Sequence, residues 1–295
     1  MDDTKGILLF AHNNTEMDYA KFAYIAGRFA QKQLDVPVSL VTDQGTIKWM
    51  KKTNPESIKF FDKIITTDDV NSFTDQNRRF QDGSQSFKIS KFNNGYRTLC
   101  YELSPYHKTL VIDSDLLLLN NKLAAVWDTD VDFMINRDHF DLARDRSLPE
   151  FQKVSDYSVD FYWATAFYFT KTENMKVFFN LCRHILENYD YYCYICQIPS
   201  ALVRNDFIFS IAIHILSGFS NKIKPLSLPC QIYYTLDKDE LIEVKNKNNL
   251  IFLIEKKGLL GEYTLSKIDT QNIHIMNKYG LSRCADKLLE VLDND

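Results

Sequence analysis

Two carboxylates one residue apart, Asp113 and Asp115, directly follow the apolar run Thr109-Leu-Val-Ile112 and lead straight into another, Leu116-Leu-Leu-Leu119. An apolar run of that length reads as a buried strand. Alternation along an extended chain puts both acids on one side of the backbone. Carboxylates so placed repel each other and require a cation or protons nearby. A divalent ion with oxygen ligands is the chemistry such a pair supports. The same spacing recurs in Asp128-Thr-Asp130 and Asp130-Val-Asp132. Those acids precede a strand and read as turn residues, so position after a buried strand singles out the first pair. Without a metal, the pair would be a solvated turn of hydrogen-bonded acids.

Strands and helices alternate ahead of this pair. Gly6-Ile-Leu-Leu-Phe10 reads as a buried strand running into the polar loop Ala11-His-Asn-Asn-Thr15. A helix is expected over Asp18–Gln33, with Phe22, Ile25, Phe29 and Leu34 as its inward stripe. Val36–Thr42, closed by Asp43, is a second strand, and a helical piece around Ile47–Phe61 precedes a third, Lys63–Thr66. Such alternation means βαβ units and a mainly parallel sheet flanked by helices. Right-handed crossovers then carry the strand ends Ala11, Asp43 and Asp113 to one rim, where sheets of this kind bind ligands.

The polar stretch Asp68–Ser86, with Asn77-Arg-Arg79 inside it, reads as a solvated loop. Ile89–Leu103, carrying Lys91 and Arg97, reads as a helix entering the central strand. Beyond the acids come a short helix at Lys122–Trp127, a strand at Val131–Ile135 and a second polar loop, Asn136–Ser158, placed to cover the site. Phe161–Phe169 is aromatic, β-like and more suited to core than to stacking on a sugar. Thr172 can cap a helix over Glu173–Tyr189, and Asn205 another over Asp206–Ser217, stopped by Gly218. Leu241–Val244 and Leu250–Ile254 suggest an antiparallel hairpin, and Ile273–Met276 a short strand. Leu281, Ala285, Leu288, Leu289 and Leu292 form the stripe of a closing helix. No internal repeat, low-complexity tract or clear linker interrupts the chain, so residues 1–295 read as a single domain.

Composition narrows the function classes. Hydrophobic residues at 45% and charged residues at 25% describe an ordinary soluble globular protein. A net charge of −4 and a pI near 5.9 lack the basic footprint of a general nucleic-acid binder. The six cysteines are scattered; Cys193-Tyr-Ile-Cys196 has zinc-ligand spacing, but no second pair matches it, so all read as reduced thiols. Met1-Asp-Asp-Thr-Lys5 lacks the layout of a signal peptide, and no apolar run reaches the roughly 18 residues of a membrane span. A cytoplasmic protein without an integral membrane segment is the expectation.

Given a metal, two chemistries compete. A haloacid-dehalogenase-type phosphatase also sets Asp-x-Asp after a buried strand, but on its first strand and with Thr or Val two residues after the second acid. Here the strand is about the fourth and the residue is Leu117. The block Tyr96-Arg-Thr-Leu-Cys-Tyr-Glu-Leu-Ser-Pro-Tyr-His-Lys-Thr-Leu-Val-Ile-Asp-Ser-Asp115 instead resembles the metal-dependent GT-A glycosyltransferases. It is most similar to the family 8 (galactosyltransferase and glycogenin-like) pattern, in which a helix with a basic residue runs into a strand ending in Asp-x-Asp.

The resemblance implies an α/β GT-A (Rossmann-like) fold, with a C-terminal hairpin and closing helix. It implies Mn²⁺ or Mg²⁺ and a nucleotide-sugar donor, UDP-linked. Residues 1–135 would form the nucleotide-binding half, and 136–295 the half that closes over metal and acceptor. Asp113, Asp115 and His274, in His274-Ile-Met-Asn-Lys278, match the metal ligands. Asp113 could instead meet the ribose; Ala11 and Asn13 match the nucleobase and ribose contact, and Arg97 and Lys278 the diphosphate contacts. Asp206 is the candidate catalytic carboxylate. The acceptor class stays open among glycan, lipid, protein and modified nucleic acid.

This chain also departs from the pattern. Ala164-Thr-Ala166 stands where the family has Asn-Ala-Gly, Asp206 is the only acid at its helix start, and the Gly and Pro-Trp of the late motif are missing. From the residues alone, Asp206 simply suits the positive end of a helix, His274 a core position, and Arg97 a surface ion pair. His12, His107 and His139 receive no role. The alternatives are a metal-dependent phosphatase or nucleotidyltransferase, and a non-catalytic carbohydrate-binding protein of the same fold.

Overall fold

The computed structural model of the chain describes residues 4–67, 77–80, 88–91, 93–143, 152–154, 159–198, 203–220, 222–256 and 261–294. Strand β1 (Lys5–Phe10) leads to helix α1 (Tyr19–Leu34), β2 (Val38–Thr42), helices α2 (Gln44–Thr53) and α3 (Pro55–Phe60), and β3 (Ile64–Thr66). A ribbon of β4 (Asn77–Phe80) and β5 (Lys88–Lys91) precedes a 3-10 helix at Asn93–Leu99, α4 (Cys100–Leu103), β6 (Lys108–Ile112) and β7 (Leu116–Leu117). A second 3-10 helix, Lys122–Asp128, is followed by β8 (Phe133–Asn136), β9 (Phe140–Asp141) and β10 (Trp163–Thr170). Next come α5 (Glu173–Glu187), α6 (Tyr189–Ile195) and α7 (Asn205–Leu216). The remaining elements are β11 (Ile232–Tyr234), β12 (Glu240–Asn246), β13 (Asn249–Glu255), β14 (Tyr263–Asp269), β15 (Asn272–His274) and α8 (Lys278–Asp293).

The main sheet has the order β3-β2-β1-β6-β10-β8. β1 runs parallel to β2 and β6, and β2 to β3, which is the expected parallel core; β10 is antiparallel to both of its neighbours. Strands covered on both faces must be buried at every position, and β2 is buried throughout. Its two hydroxyls are satisfied internally, Ser39 by Tyr106 at 2.6 Å and Thr42 by the Ala11 carbonyl at 2.6 Å. Alternation sorts the side chains. Leu8, Phe10, Val111, Phe167 and Phe169 share a core with α5 and α7, whereas Ile7, Leu9, Leu110 and Ile112 meet the alanines of α1. The other flank of α1, Phe22, Ile25 and Phe29, packs in a third core with α8 and strands β12 to β14.

A small second sheet, ordered β7-β15-β11-β9, decides the site. β15 lies antiparallel to β7, with His274 opposite Leu116, the residue after Asp115. The late strand is thereby tied to the exit of β6.

Several boundaries differ from expectation. The helix expected over Ile47–Phe61 is two, because Pro55 cannot donate within a helix and Asn54 accepts from Ser57 N to start the second. Ile89–Lys91 is extended and paired with β4, and Asn93-Asn-Gly95 then opens a 3-10 turn, in keeping with residues that disfavour helix interiors. Arg204, not Asn205, holds the cap position of α7, and no side chain caps it. The helix after Thr172 ends at Glu187, where the Asn188 amide bonds the His184 carbonyl. The expected hairpin gains a third strand, β14, which buries only Ile268 and so carries little hydrophobic signal. Most of the Asp68–Ser86 loop and residues 144–151 and 155–158 of the second loop lie outside the described residues. Among the described residues no helix is long and apolar enough to cross a membrane, and the six cysteines are free thiols.

Candidate functional site

β6 delivers the acids and β15 the imidazole. Asp113 leaves the end of β6 with its amide bonded to the Thr165 carbonyl at 2.8 Å, and Asp115 sits two residues on, inside the turn to β7. His274 Nε2 stands 3.1 Å from Asp115 Oδ2 and 4.0 Å from Asp113 Oδ2. Among the described residues these three form the group of acids, histidines and cysteines able to hold a metal, with ligand atoms all within 4.8 Å of one another. Two hard carboxylates and one imidazole suit Mg²⁺ or Mn²⁺. Cys193 and Cys196 are not part of this group.

Each acid has its own base. Arg97, 2% exposed, pairs with Asp113 and also donates to the Ala164 carbonyl at 2.6 Å. Lys278 pairs with Asp115. It is the first residue of α8, where a cation opposes the helix dipole, so its charge serves the carboxylate and not the helix. Burial pushes the Asp113 carboxyl up from its ordinary value despite the Arg97 guanidinium. Burial acts the same way on Asp115, but there Lys278 and His274 prevail and hold it well below the carboxylate range.

Asp206 joins the network through one peptide. The Ala164 amide donates to Asp206 Oδ1 at 2.9 Å, while the carbonyl of the same residue accepts from Arg97. The other oxygen of Asp206 takes a fork from Arg204, at 3.2 Å from Nε and 2.9 Å from Nη2. Ala11 and Asn13 are also on this rim, but their polar atoms are engaged. The Ala11 carbonyl accepts from Thr42, and the Asn13 side chain bridges Asp18 and the Ala20 amide at the start of α1. Contacts thus link Arg97, Asp113, Asp115, His274 and Lys278, with Asp206 joined through Ala164, whereas Ala11 and Asn13 follow β1, the strand beside β6, and touch none of these in the contacts described.

Sequence reasoning missed Thr165 and Arg204. Thr165 Oγ1 lies 3.5 Å from His274 Nδ1, the ring nitrogen that does not face the acids. Arg204 is stacked over the rings of Phe161 and Phe207 as it reaches Asp206. Neither contact leaves a local signal, since each partner is remote or conformation-dependent.

No family model matches the chain, and no curated protein does either. Solved structures do match. The galactosyltransferase LgtC, in complex with donor and acceptor sugar analogues, is similar over 72% of this chain and 70% of its own, at 14% identity and a TM-score of 0.44. The bifunctional glycosyltransferase WbbM is similar over 79% of this chain and 40% of its own, at 14% identity and a TM-score of 0.45. The glycosyltransferase GlyE of Streptococcus pneumoniae TIGR4 is similar over 79% of this chain and 45% of its own, at 11% identity and a TM-score of 0.39. These neighbours are glycosyltransferases. This chain spans less than half of the latter two.

Proposed function

We propose that this chain is a metal-dependent glycosyltransferase, moving a hexosyl or pentosyl group from a UDP-linked donor to an acceptor in the cytoplasm. The observation that carries the reading is the meeting of Asp113 and Asp115 with His274, which follows Asp115 by 159 residues, between two buried bases.

Asp113, Asp115 and His274 would hold Mn²⁺ or Mg²⁺, the imidazole favouring Mn²⁺. That ion, when bound, supplies Lewis-acid stabilisation to charge developing on a leaving diphosphate. Arg97 and Lys278 add buried positive charge beside the acids, where it would favour a leaving group gaining negative charge. Asp206, pinned by Ala164 and Arg204, offers a carboxylate where an oxocarbenium-like carbon gains positive charge. The end of β1, with Ala11 and Asn13, forms the nucleoside side of the site. Residues 1–135 serve the nucleotide, and 136–295 close over the metal and the acceptor, a glycan, lipid, protein or modified nucleic acid. The proposed outcome is retention at the anomeric carbon.

The test is a thermal-shift screen of nucleotide sugars with and without Mn²⁺, followed by an assay for metal-dependent UDP-sugar hydrolysis. Both should respond, and Asp115→Asn should abolish the metal-dependent part while the protein stays folded. Binding without turnover would indicate a carbohydrate-binding module, and cleavage of phosphomonoesters instead a phosphatase.

A further inference from the structure

Helix α7 ends at Leu216, and the chain then turns through Gly218 and Phe219 in consecutive left-handed conformations, with φ of 70° and 56°. Glycine takes that region freely, whereas a bulky side chain there is rare and strained. The turn is nonetheless well held. The Phe219 amide bonds the His214 carbonyl at 3.0 Å, Ser217 and Ser220 each donate a hydroxyl to the other's carbonyl, and the Phe219 ring meets His214 edge-on at 5.7 Å. A strained backbone thus presents an aromatic ring to solvent.

Its neighbours in the chain do the same. Phe219 is 64% exposed, Leu216 50%, Ile223 71% and Leu226 55%. Apolar side chains exposed singly are ordinary, but four so close along the chain make a patch that calls for a partner. The patch has a fixed base at the edge of the main sheet. Leu226 bridges Met134 of β8, its carbonyl accepts from the Ile135 amide at 3.0 Å, and the Leu228 amide bonds the Asn136 side chain at 2.9 Å.

Charge selects what covers it. The chain has a net charge of −4, yet from Phe207 to Leu236 it holds no Asp or Glu, and Lys222 and Lys224 flank Ile223. Lys222 is exposed, and Lys224 reaches Asp160 at 3.5 Å, an acid that Arg137 also answers at 3.3 Å, so these four charges sum to a positive face. A second copy docked on this patch about a two-fold axis would set the same lysines against each other. Apolar side chains standing out beside lysines suit the boundary of an anionic bilayer, where the rings and branched chains enter the acyl edge and the ammonium groups stay among the headgroups.

We propose that Leu216, Phe219, Ile223 and Leu226, with Lys222, form a peripheral docking surface for an anionic lipid membrane. The inference goes beyond the glycosyltransferase reading and does not depend on it.

The experiment is vesicle flotation of the wild type, the double variant Phe219→Asn with Ile223→Ser, and Lys222→Glu. One set of vesicles is phosphatidylcholine alone, the other an equal mixture with phosphatidylglycerol. Asparagine tolerates the left-handed region, so the double variant should melt no lower than the wild type. The wild type should partition onto the anionic vesicles about tenfold more strongly than onto phosphatidylcholine. The double variant should lose about tenfold of that binding, and Lys222→Glu, which keeps the apolar patch, about as much. A wild type that does not float, one that binds both kinds of vesicle equally, or a double variant that floats like the wild type would overturn the proposal. So would a dimer in light scattering that the double variant loses, which would give the patch to a second copy. UDP binding with Mn²⁺, which these variants should leave unchanged, reports on the acid site separately.

Discussion

Lys278 and His274 converge on a single oxygen, Asp115 Oδ2, the lysine as a buried ion pair and the imidazole at 3.1 Å. The lysine ammonium also donates to the Met276 carbonyl at 3.0 Å and the Ile275 carbonyl at 3.4 Å, so its three hydrogens are all engaged. With Arg97 on Asp113, two acids are matched by two bases. Under the proposed function a divalent ion would compete with Lys278 for that oxygen, and an arriving diphosphate would balance the added charge. Lys278→Met is therefore expected to tighten Mn²⁺ binding without nucleotide by about tenfold, and to shrink the gain that UDP brings. Titration calorimetry with Mn²⁺ alone, then with UDP, checks both; weaker Mn²⁺ binding by the variant would contradict the competition.

Arg97 is 2% exposed and bonded to both Asp113 and the Ala164 carbonyl. Removing one partner of a buried pair leaves an uncompensated charge. Arg97→Met should cost about 3–5 kcal/mol in urea unfolding. A loss under about 1 kcal/mol would place the pair in the class of exposed bridges.

Thr165 orients His274 from the far side of its ring. Outer partners of metal-binding histidines are typically worth about 10–100-fold in metal affinity. Thr165→Val keeps the shape and removes the hydroxyl, so Mn²⁺ affinity should fall by roughly tenfold at the low end of that range. The melting temperature should stay near the wild-type value; unchanged Mn²⁺ affinity would remove Thr165 from the site.

The two acids should titrate in opposite senses. Asp113, raised by burial, takes up a proton as pH falls before an ordinary carboxyl would, and so adds stability as pH drops below its raised value. Asp115, held low by Lys278 and His274 against burial, contributes stability above the unfolded value of 3.8 that is lost as pH falls toward its folded value. Infrared spectra should show a protonated carboxyl band persisting above about pH 4, the ordinary Asp range, that Asp113→Asn removes. A band unaffected by that substitution would reassign the raised group.

Local patterns were enough for the frame. The apolar run before Asp113, the stripe of α1, the rim shared by Ala11, Asp43 and Asp113, and the closing helix all rest on near neighbours in the chain. So does the pairing of acids that first marked the site. Where local signal was thin, the reading slipped. β14 buries a single apolar side chain, and the Asn54-Pro55 break lay inside an otherwise helical pattern.

Charge balance was beyond the sequence. Nothing local says that Lys278 would settle on Asp115, 163 residues away, or that Arg97 would bond the Ala164 carbonyl, 67 residues on. Sequence alone determined the strands, helices and acid pair, because periodicity and capping act over a few residues. Only the tertiary structure decided which base neutralises which acid, because burial and electrostatic pairing depend on distances that folding alone creates.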